Sequence, residues 1–367
     1  MFRLDRAGRP CAARTVGLAK DDERPLIGVG VVGYGYWGPN LVRNFAEAPE
    51  ARVVAVSDLH PHRLAQVADR YPAVRVTLDH RDLVEDPLVD AVVIATPVAT
   101  HFDLAVQALR AGKHVLVEKP LTATADEGER VIAEAARRGR LLMVGHTFVY
   151  TGAVRKIKAL VDDGLLGRLY YYDSVRVNLG LFQHDVNVLW DLAVHDLSIM
   201  QFVLGGEVRA VSATGMAHVP GQPEDVAYLT CFLDDGLIAH FHANWLAPVK
   251  IRRTLVGGDE RMIVYDDLEP SEKVKVYDKG ITLNDGPEGV YQMLVSYRTG
   301  DMWAPQLDAT EALAVEVAHF LACIEGGGQP LTGGREGLDV VRVLEAATHS
   351  LRQRGQLVEL RPEASVV

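Results

Sequence analysis

The sequence contains only three cysteines, Cys11, Cys231 and Cys323, and they are far apart. An odd number at this spacing argues against a disulfide framework and a cysteine zinc site, and it favours a reducing cytoplasm. No apolar run approaches the roughly 20 residues that a membrane-spanning helix needs. The chain also lacks a basic block and carries a formal net charge of −11, which argues against nucleic-acid binding. We therefore expect a cytoplasmic protein without a membrane or nucleic-acid partner.

The length of 367 residues and the hydrophobic fraction of 48% predict two folded domains. Residues 1–24 have scattered charges and no apolar segment, so we interpret them as an N-terminal arm and not as a secretory signal. The pattern of the chain changes near Tyr150, and we place the domains at residues 25–148 and 149–367.

Strands and helices alternate through the first domain. Ile27–Val32 is a continuous apolar run, as in a strand that is buried on both faces. Thr124 and Glu127 have the spacing of a capping box, and the helix that follows is predicted to end at Gly139. This alternation favours right-handed βαβ units and a doubly wound parallel sheet. The predicted strands cover residues 27–32, 52–57, 89–95, 114–117 and 141–144.

The first turn of this domain carries a glycine motif of the form G-x-G-x-x-G. It comprises Gly33, Tyr34, Gly35, Tyr36, Trp37 and Gly38. The motif follows a buried strand and opens a helix, and Asp58 ends the second strand 25 positions after Gly33. This context is that of a dinucleotide site, in which the pyrophosphate lies on a helix N-terminus and the acidic residue binds the ribose hydroxyls. Because Asp58 would repel a 2′-phosphate, we predict NAD as the cofactor, although the nearby Arg63 weakens this preference over NADP.

The second domain is predicted to be α+β, with a large open sheet that is mainly antiparallel. Short strands follow one another here, and Asp234-Asp235-Gly236 between two of them is typical of a hairpin. The second face of such a sheet must be covered, and a partner subunit is a natural candidate. The predicted strands cover residues 168–177, 208–214, 227–232, 237–245, 252–256, 262–265 and 274–277, and the predicted helices cover 154–163, 188–204, 309–325 and 336–354.

Three features carry candidate chemistry. Lys119, in Glu118-Lys119-Pro120, ends a parallel strand and is predicted to point into the cofactor crevice. Asp191 and His195 are four residues apart on a predicted helix, so the carboxylate would orient the imidazole and favour its charged form. His195 would then accept the proton of a substrate hydroxyl, while Lys119 stabilises the developing alkoxide. The polar loop at residues 178–187, with Gln183 and His184, could supply hydrogen bonds to a sugar.

These features have alternative interpretations. Asp196, beside His195, could be its true partner, and an Asp-His pair at helical spacing also occurs on solvated surfaces. His184, Asp191 and His195 could hold a metal, but the sequence offers no fourth ligand, so we predict none. A second cluster combines an aromatic residue with basic residues, a pattern typical of a strand edge with solvated charges. The alternative is that this cluster contacts a substrate diphosphate. Its members are Trp245, Lys250, Arg252 and Arg253.

At this point the sequence resembles the Gfo/Idh/MocA family of NAD(P)-dependent sugar and cyclitol oxidoreductases. The resemblance extends over about residues 26–260 and is carried by the glycine motif, Ala95-Thr96-Pro97 with Thr100-His101, Glu118-Lys119-Pro120, Gly145-His146-Thr147 and Asp191-x-x-x-His195. It implies that Lys119, Asp191 and His195 are catalytic, and that the sheets of the second domain pair face to face in a homodimer or homotetramer. It also implies that the cofactor site is lined by the backbone of residues 34–38 and by Asp58, Thr96, Pro97, His101, Glu118 and Lys119. The predicted substrate contacts are Lys119, His146, Arg176, Asn178, Gln183, His184, Asp191 and His195.

The resemblance also bears on the reaction. Many members of the family have glycine between the catalytic Asp and His, where this sequence has Ala193. This variant is similar to a subgroup of nucleotide-sugar 3-dehydrogenases and to related enzymes of aminoglycoside pathways. We therefore expect NAD-dependent oxidation of a secondary hydroxyl, at C-3, to give a keto sugar for transamination. The alternatives are a myo-inositol 2-dehydrogenase and a non-catalytic regulator that senses NAD and a sugar.

Overall fold

The computed structural model of the protein describes residues 26–180, 186–278, 280–283, 295–298 and 300–360. The predicted arm and the predicted substrate residues Gln183 and His184 lie outside them. Within the described part of the chain, no helix has both the length and the apolar character that crossing a bilayer requires.

The first domain contains a six-stranded sheet that is parallel throughout. Its strands are β1 (Ile27–Val32), β2 (Ala51–Ser57), β3 (Arg75–Thr77), β4 (Ala91–Ile94), β5 (His114–Glu118) and β6 (Leu142–Gly145). The order β3-β2-β1-β4-β5-β6 reverses direction between β1 and β4. Doubly wound sheets bind ligands at this reversal, beyond the carboxyl ends of the strands. The predicted sheet is therefore confirmed, with β3 as a short, half-exposed edge strand that the sequence pattern did not indicate.

Four of the five helices of this domain were predicted, and the short α3 was not. They are α1 (Gly38–Glu47), α2 (Pro61–Arg70), α3 (Arg81–Val84), α4 (His101–Arg110) and α5 (Ala125–Arg138). The Thr124 hydroxyl accepts a hydrogen bond from the Glu127 backbone N–H, which satisfies a free donor at the start of α5. Gly139, with φ of 60°, ends α5 in the left-handed conformation that was expected of it.

The second domain contains a nine-stranded sheet. The elements after β6 are α6 (Gly152–Asp162), β7 (Leu169–Leu179), α7 (Val194–Leu204), β8 (Val208–Met216), β9 (Val226–Leu233), β10 (Ile238–Asn244), β11 (Leu246–Gly258), β12 (Met262–Asp266), β13 (Val274–Tyr277), β14 (Gly280–Leu283), β15 (Val295–Arg298), β16 (Met302–Trp303), α8 (Ala312–Gly326), α9 (Gly334–Arg352) and β17 (Val358–Glu359). The order is β16-β13-β12-β11-β7-β10-β9-β8-β17, and only β7 and β10 pair in parallel. The predicted α+β domain is thus confirmed, and β14 and β15 form a separate two-stranded sheet.

One face of the large sheet is covered and the other is open. Alternate residues such as Leu229 and Phe241 are buried in one core with residues of α7 and α9. The opposite face carries Tyr228, Phe232 and Ile238, which remain about 40% exposed: 43%, 39% and 40%. A period of two along each strand produces this difference between the faces.

Helix α8 returns to the first domain. The Phe320 ring packs edge-on against Phe45 of α1, with 6.2 Å between the ring centroids. Arg43 and Glu311 form an ion pair of 2.6 Å beside this contact. Helix α8 therefore connects the second domain to the first.

Candidate active site

A crevice of about 1520 Å³ lies between the two domains, at the point where the parallel sheet reverses. It exceeds the roughly 300–1,000 Å³ of a typical small-molecule site, so a dinucleotide and a sugar can share it. Most of the predicted site residues line it. These are Gly33, Gly35, Tyr36, Trp37, Asp58, Arg63, Thr96, Pro97, Glu118, Lys119, Arg176, Asn178, Asp191 and His195.

The glycine-rich turn forms the floor of the cofactor end. Gly33 has φ of 100°, and a Cβ there would lie 2.5 Å from the Ala95 carbonyl oxygen. A Cβ on Gly35 would meet nothing closer than Arg63 Nη1 at 3.7 Å, so its outer side is open to a ligand. The turn leads directly into α1, whose N-terminus lies at Gly38. The residues present therefore fit NAD, whose pyrophosphate needs close backbone approach and N–H donors.

Two glycine substitutions separate the fold of this turn from its binding role. We expect Gly33→Ala to lower the free energy of unfolding by about 1–3 kcal/mol, because the left-handed backbone and the Ala95 carbonyl both oppose a side chain. Gly35→Ala should unfold like the wild type but bind NAD more weakly, since its methyl group occupies ligand space only. Urea denaturation and NAD titration check the pair, and wild-type stability in Gly33→Ala would contradict the argument.

Asp58 is held in place at the end of β2. Its carboxylate accepts hydrogen bonds from the backbone N–H groups of Tyr34, at 2.7 Å, and His60, at 2.8 Å. Arg63 lies 3.2 Å from the same carboxylate. Burial raises the pKa of Asp58, but these hydrogen bonds outweigh it and hold the pKa below its ordinary value. Asp58 is therefore an anion at neutral pH. It can accept a hydrogen bond from a ribose hydroxyl, and its charge would repel a 2′-phosphate.

Lys119 joins the two domains. It follows β5, and its Nζ donates a hydrogen bond of 3.1 Å to the Asp191 backbone carbonyl. The same Nζ lies 3.6 Å from Asp191 Oδ1, while Trp245 Nε1 donates to Asp191 Oδ2 at 3.0 Å. Asp191 is thus the partner of Lys119, and within the described residues no hydrogen bond links it to His195. This differs from the expectation that Asp191 orients the imidazole.

A local change of helix type accompanies this difference. Leu189–Ala193 forms a π-helical turn before α7, where the sequence pattern predicted one continuous α-helix. A π turn is wider than an α turn and changes the spacing of side chains along the face. Asp191 and His195 still reach the same crevice, but the carboxylate bonds to the neighbouring elements.

His195 faces cations. Burial lowers the pKa of His195 well below its usual 6.5, and the positive charges of Lys119 and Arg176 lower it further. The prediction that a carboxylate would favour the imidazolium is therefore wrong. The ring packs edge-on against Phe148, with 4.9 Å between centroids, which fixes its plane. A neutral, sterically fixed imidazole suits the role of proton acceptor.

Asp196 belongs to a different interaction. Its carboxylate forms two hydrogen bonds of 2.8 Å with Arg176 Nε and Nη2, in a pair that is almost fully buried. The alternative that Asp196 pairs with His195 is therefore wrong, because its carboxylate pairs with Arg176. The pair holds Arg176 of β7 against α7 on the substrate side of the crevice.

Some predicted site residues lie behind the crevice wall. The Tyr34 side chain is buried, and Gly38 packs on the Gly33 carbonyl. The ring of His101 is buried with its nitrogens 2.8 Å and 2.9 Å from the Pro120 and Thr96 carbonyls, so it braces two wall segments. His146 is buried as well, and burial together with Lys119 lowers its pKa to about 3. His101 and His146 therefore support the residues that line the crevice and do not line it themselves, which differs from the prediction.

The sequence analysis named Glu118 as a cofactor-site residue but missed a second buried acid near it, Glu316. Burial raises the pKa of Glu118 to about 7, and its carboxylate packs closely on Gly145. Glu316 of α8 is fully buried and accepts a 2.7 Å hydrogen bond from Thr147. Burial and the neighbouring Glu118 raise the pKa of Glu316 well above its ordinary value. Nothing local in the sequence distinguishes Glu316, because its neighbour Glu118 lies almost 200 positions away. The sequence analysis also missed Phe148, although its position just after a parallel strand could have indicated it.

Among the described residues, no three His, Cys, Asp or Glu side chains are grouped so that they could hold a metal ion. His184, which was weighed as a ligand with Asp191 and His195, lies outside those residues.

Comparisons with known proteins identify the family of the chain. Residues 27–146 match the family model described as an oxidoreductase family with an NAD-binding Rossmann fold, and residues 154–264 match the Gfo/Idh/MocA C-terminal domain. The chain belongs to the Gfo/Idh/MocA family. This family member is an NAD-dependent sugar or polyol oxidoreductase, as the resemblance of its motifs implied.

Relatives of this Gfo/Idh/MocA enzyme include proteins of several specificities. It is similar to the structure of UDP-N-acetylglucosamine 3-dehydrogenase GnnA from Acidithiobacillus ferrooxidans, with 26% identity, a TM-score of 0.75 and coverage of 90% of this chain and 99% of that one. It is also similar to GenD2 from gentamicin A biosynthesis in complex with NAD, with 25% identity, a TM-score of 0.78 and coverage of 92% and 97%. The scyllo-inositol 2-dehydrogenase (NAD(+)) of Bacillus subtilis is 28% identical over 347 residues, 91% of this chain and 95% of that protein.

Proposed function

We propose that this enzyme oxidises a secondary hydroxyl, at C-3, of a sugar in amino-sugar biosynthesis and gives a keto sugar for transamination. The substrate is a nucleotide sugar or an aminoglycoside intermediate. The observation that carries the proposal is the contact of Lys119 with Asp191, which brings the two domains together beside His195. The similarity to GnnA and GenD2 supports the position of the hydroxyl.

The proposed roles follow from the charges of the site. His195 is neutral and takes the hydroxyl proton, and Lys119 donates to the same oxygen as negative charge develops on it. Asp191 keeps Lys119 extended across the crevice and leaves His195 free to act as a base. When bound, NAD accepts the hydride from the substrate carbon. The glycine turn and Asp58 would hold its pyrophosphate and ribose.

The test of this function is formation of NADH, followed at 340 nm, with matched panels of sugars. The panel contains UDP-N-acetylglucosamine, aminoglycoside precursors and myo-inositol, and analysis of the product by NMR identifies the oxidised carbon. A 3-keto sugar supports the proposal. Activity that survives in both Lys119→Ala and His195→Ala would defeat the assignment of the site.

A second candidate is an inositol 2-dehydrogenase. The similarity to the scyllo-inositol enzyme over 91% of this chain favours it, and it would use the same three residues. Preferred turnover of free myo-inositol or scyllo-inositol would promote this candidate over the first. A tightly bound cofactor that no substrate reduces would instead point to a regulator.

The pH dependence provides a further prediction. Because burial and the charges of Lys119 and Arg176 lower the pKa of His195, the unprotonated base persists below pH 6.5. We therefore expect the acidic limb of kcat/KM for oxidation to lie below pH 6.5. A pH profile measures it, and His195→Gln should lack that limb. A limb above pH 6.5 that depends on His195 would contradict the charge arrangement.

We also propose that the open face of the large sheet forms a homodimer or homotetramer. Tyr228 stacks on His242, with 4.5 Å between centroids, and this pair lies beside the exposed Phe232 and Ile238. An apolar patch on a sheet face is typical of a subunit interface. Sedimentation analysis should give two or four chains, and Phe232→Glu should favour the monomer. A wild-type monomer would overturn this proposal.

A cytoplasmic location stays a prediction from the cysteine pattern.

A further inference from the structure

Two arginines lie side by side at the substrate end of the crevice. Arg176 on β7 and Arg252 on β11 are direct partners in the antiparallel register, and both line the crevice. Their Cζ atoms lie 4.6 Å and 5.6 Å from the centroid of the Phe148 ring. Because Phe148 also packs against His195, the guanidinium pair lies next to the proposed base.

Such a pair is unfavourable for the fold alone, because like charges directly opposite each other on adjacent strands repel. Each arginine has a carboxylate that offsets part of this repulsion. Asp196 binds Arg176, and Asp267 lies 3.1 Å from Arg252. Lys273, 3.7 Å from Asp267, adds another positive charge. The two guanidinium groups therefore stay next to each other, each paired with one carboxylate.

The carboxylates do not use all of the arginine donors. Arg176 Nη1 and Arg252 Nε are buried and have no hydrogen-bond partner among the described residues. Arg176 is only 3% exposed, so water does not readily satisfy its free nitrogen. A guanidinium presents its donors in a planar fork that matches carboxylate and phosphate oxygens. Buried, unused donors on two adjacent guanidinium groups are what an oxyanion requires.

We propose that Arg176 and Arg252 bind an oxyanion substituent of the substrate, a carboxylate or a phosphate, and select acidic sugars over neutral ones. This inference rests on the proposed dehydrogenase function, since the sugar must occupy this crevice. It deepens that function: a nucleotide sugar or a uronic acid fits the charge, whereas a polycationic aminoglycoside or a neutral cyclitol does not. Arg252 is the better residue to replace in a test. Its side chain is 26% exposed, and Lys273 stays beside Asp267 when Arg252 is replaced.

The experiment is a calorimetric titration of the NAD-loaded protein with three probes of one sugar: glucose, glucuronate and glucose 6-phosphate. We expect at least one acidic probe to bind about tenfold tighter than glucose or better, as charge-assisted hydrogen bonds allow. A preference for glucuronate identifies a carboxylate, and a preference for glucose 6-phosphate identifies a phosphate. Arg252→Gln should remove the preference.

Arg253→Gln is the matched control. Arg253 is the next residue of β11 and pairs with Asp266 at 2.8 Å, but it is exposed and does not line the crevice. It should keep the preference of the wild type. The proposal is overturned if the wild type binds glucose as tightly as both acidic probes, if neither acidic probe binds, or if the two variants behave alike. Binding needs no turnover, so failure of the dehydrogenase function would appear separately, as the absence of NADH formation with every sugar.

Discussion

Replacement of His195 by alanine is expected to lower kcat/KM for the sugar by about a hundredfold to ten-thousandfold, the usual contribution of a positioned general base. The imidazole is neutral, lies beside Lys119 and packs against Phe148, so its loss removes a positioned proton acceptor from the crevice. Lys119→Ala should cause a loss of similar size. The effects of the two substitutions should not add, because both groups act on one oxygen. Steady-state kinetics with single and double variants measure this.

The control for the His195 experiment is cofactor binding. His195→Ala should bind NAD like the wild type, because the residues at the cofactor end come from the other domain. Loss of NAD affinity in parallel with loss of rate would mean that the substitution disturbs the crevice as a whole. Retention of full activity would remove His195 from the mechanism.

Asp196→Asn is expected to lower the free energy of unfolding by about 3–5 kcal/mol, since it leaves the Arg176 guanidinium buried without its carboxylate. The two side chains are only 4% and 6% exposed, so water cannot replace the lost partner. Urea denaturation, followed by circular dichroism, measures the change. The expected result is a stability effect, because Asp196 holds Arg176 and does not touch His195.

Asp173→Asn provides a matched comparison for this experiment. Asp173 lies 3.5 Å from His240, but both side chains are more than 40% exposed, so its loss should change stability by less than about 1 kcal/mol. A stable Asp196→Asn protein with a severe loss of kcat would reverse our interpretation. It would restore Asp196 as the partner of the catalytic histidine.

The position of Asp191 illustrates where prediction from sequence ends. A spacing of four residues correctly brings Asp191 and His195 to one crevice. The bonding partners of the carboxylate come from β5 and from the end of β10, more than 50 positions away in either direction. The carboxylate lies in the π-helical turn, which the sequence pattern did not predict.

The electrostatics of the base were also beyond sequence reasoning. Neighbouring positions in the chain suggested that an acid beside His195 would raise its affinity for a proton. In the folded protein burial and three-dimensional neighbours decide, and those neighbours are Lys119 and Arg176. The same holds for His101 and His146, because only tertiary packing decides that they lie behind the crevice lining and not in it.

The sequence alone determined the parallel sheet, the glycine turn, Asp58 and the placement of Lys119 at a strand end, because these features depend on local periodicity, backbone sterics and the fixed handedness of βαβ units. Only the tertiary structure decided which charges meet. It gave Asp191 to Lys119 and Asp196 to Arg176, and it set Arg252 beside Arg176 across two strands. Coulombic and desolvation effects depend on distance and burial in space, and neither can be read from the separation of residues along the chain.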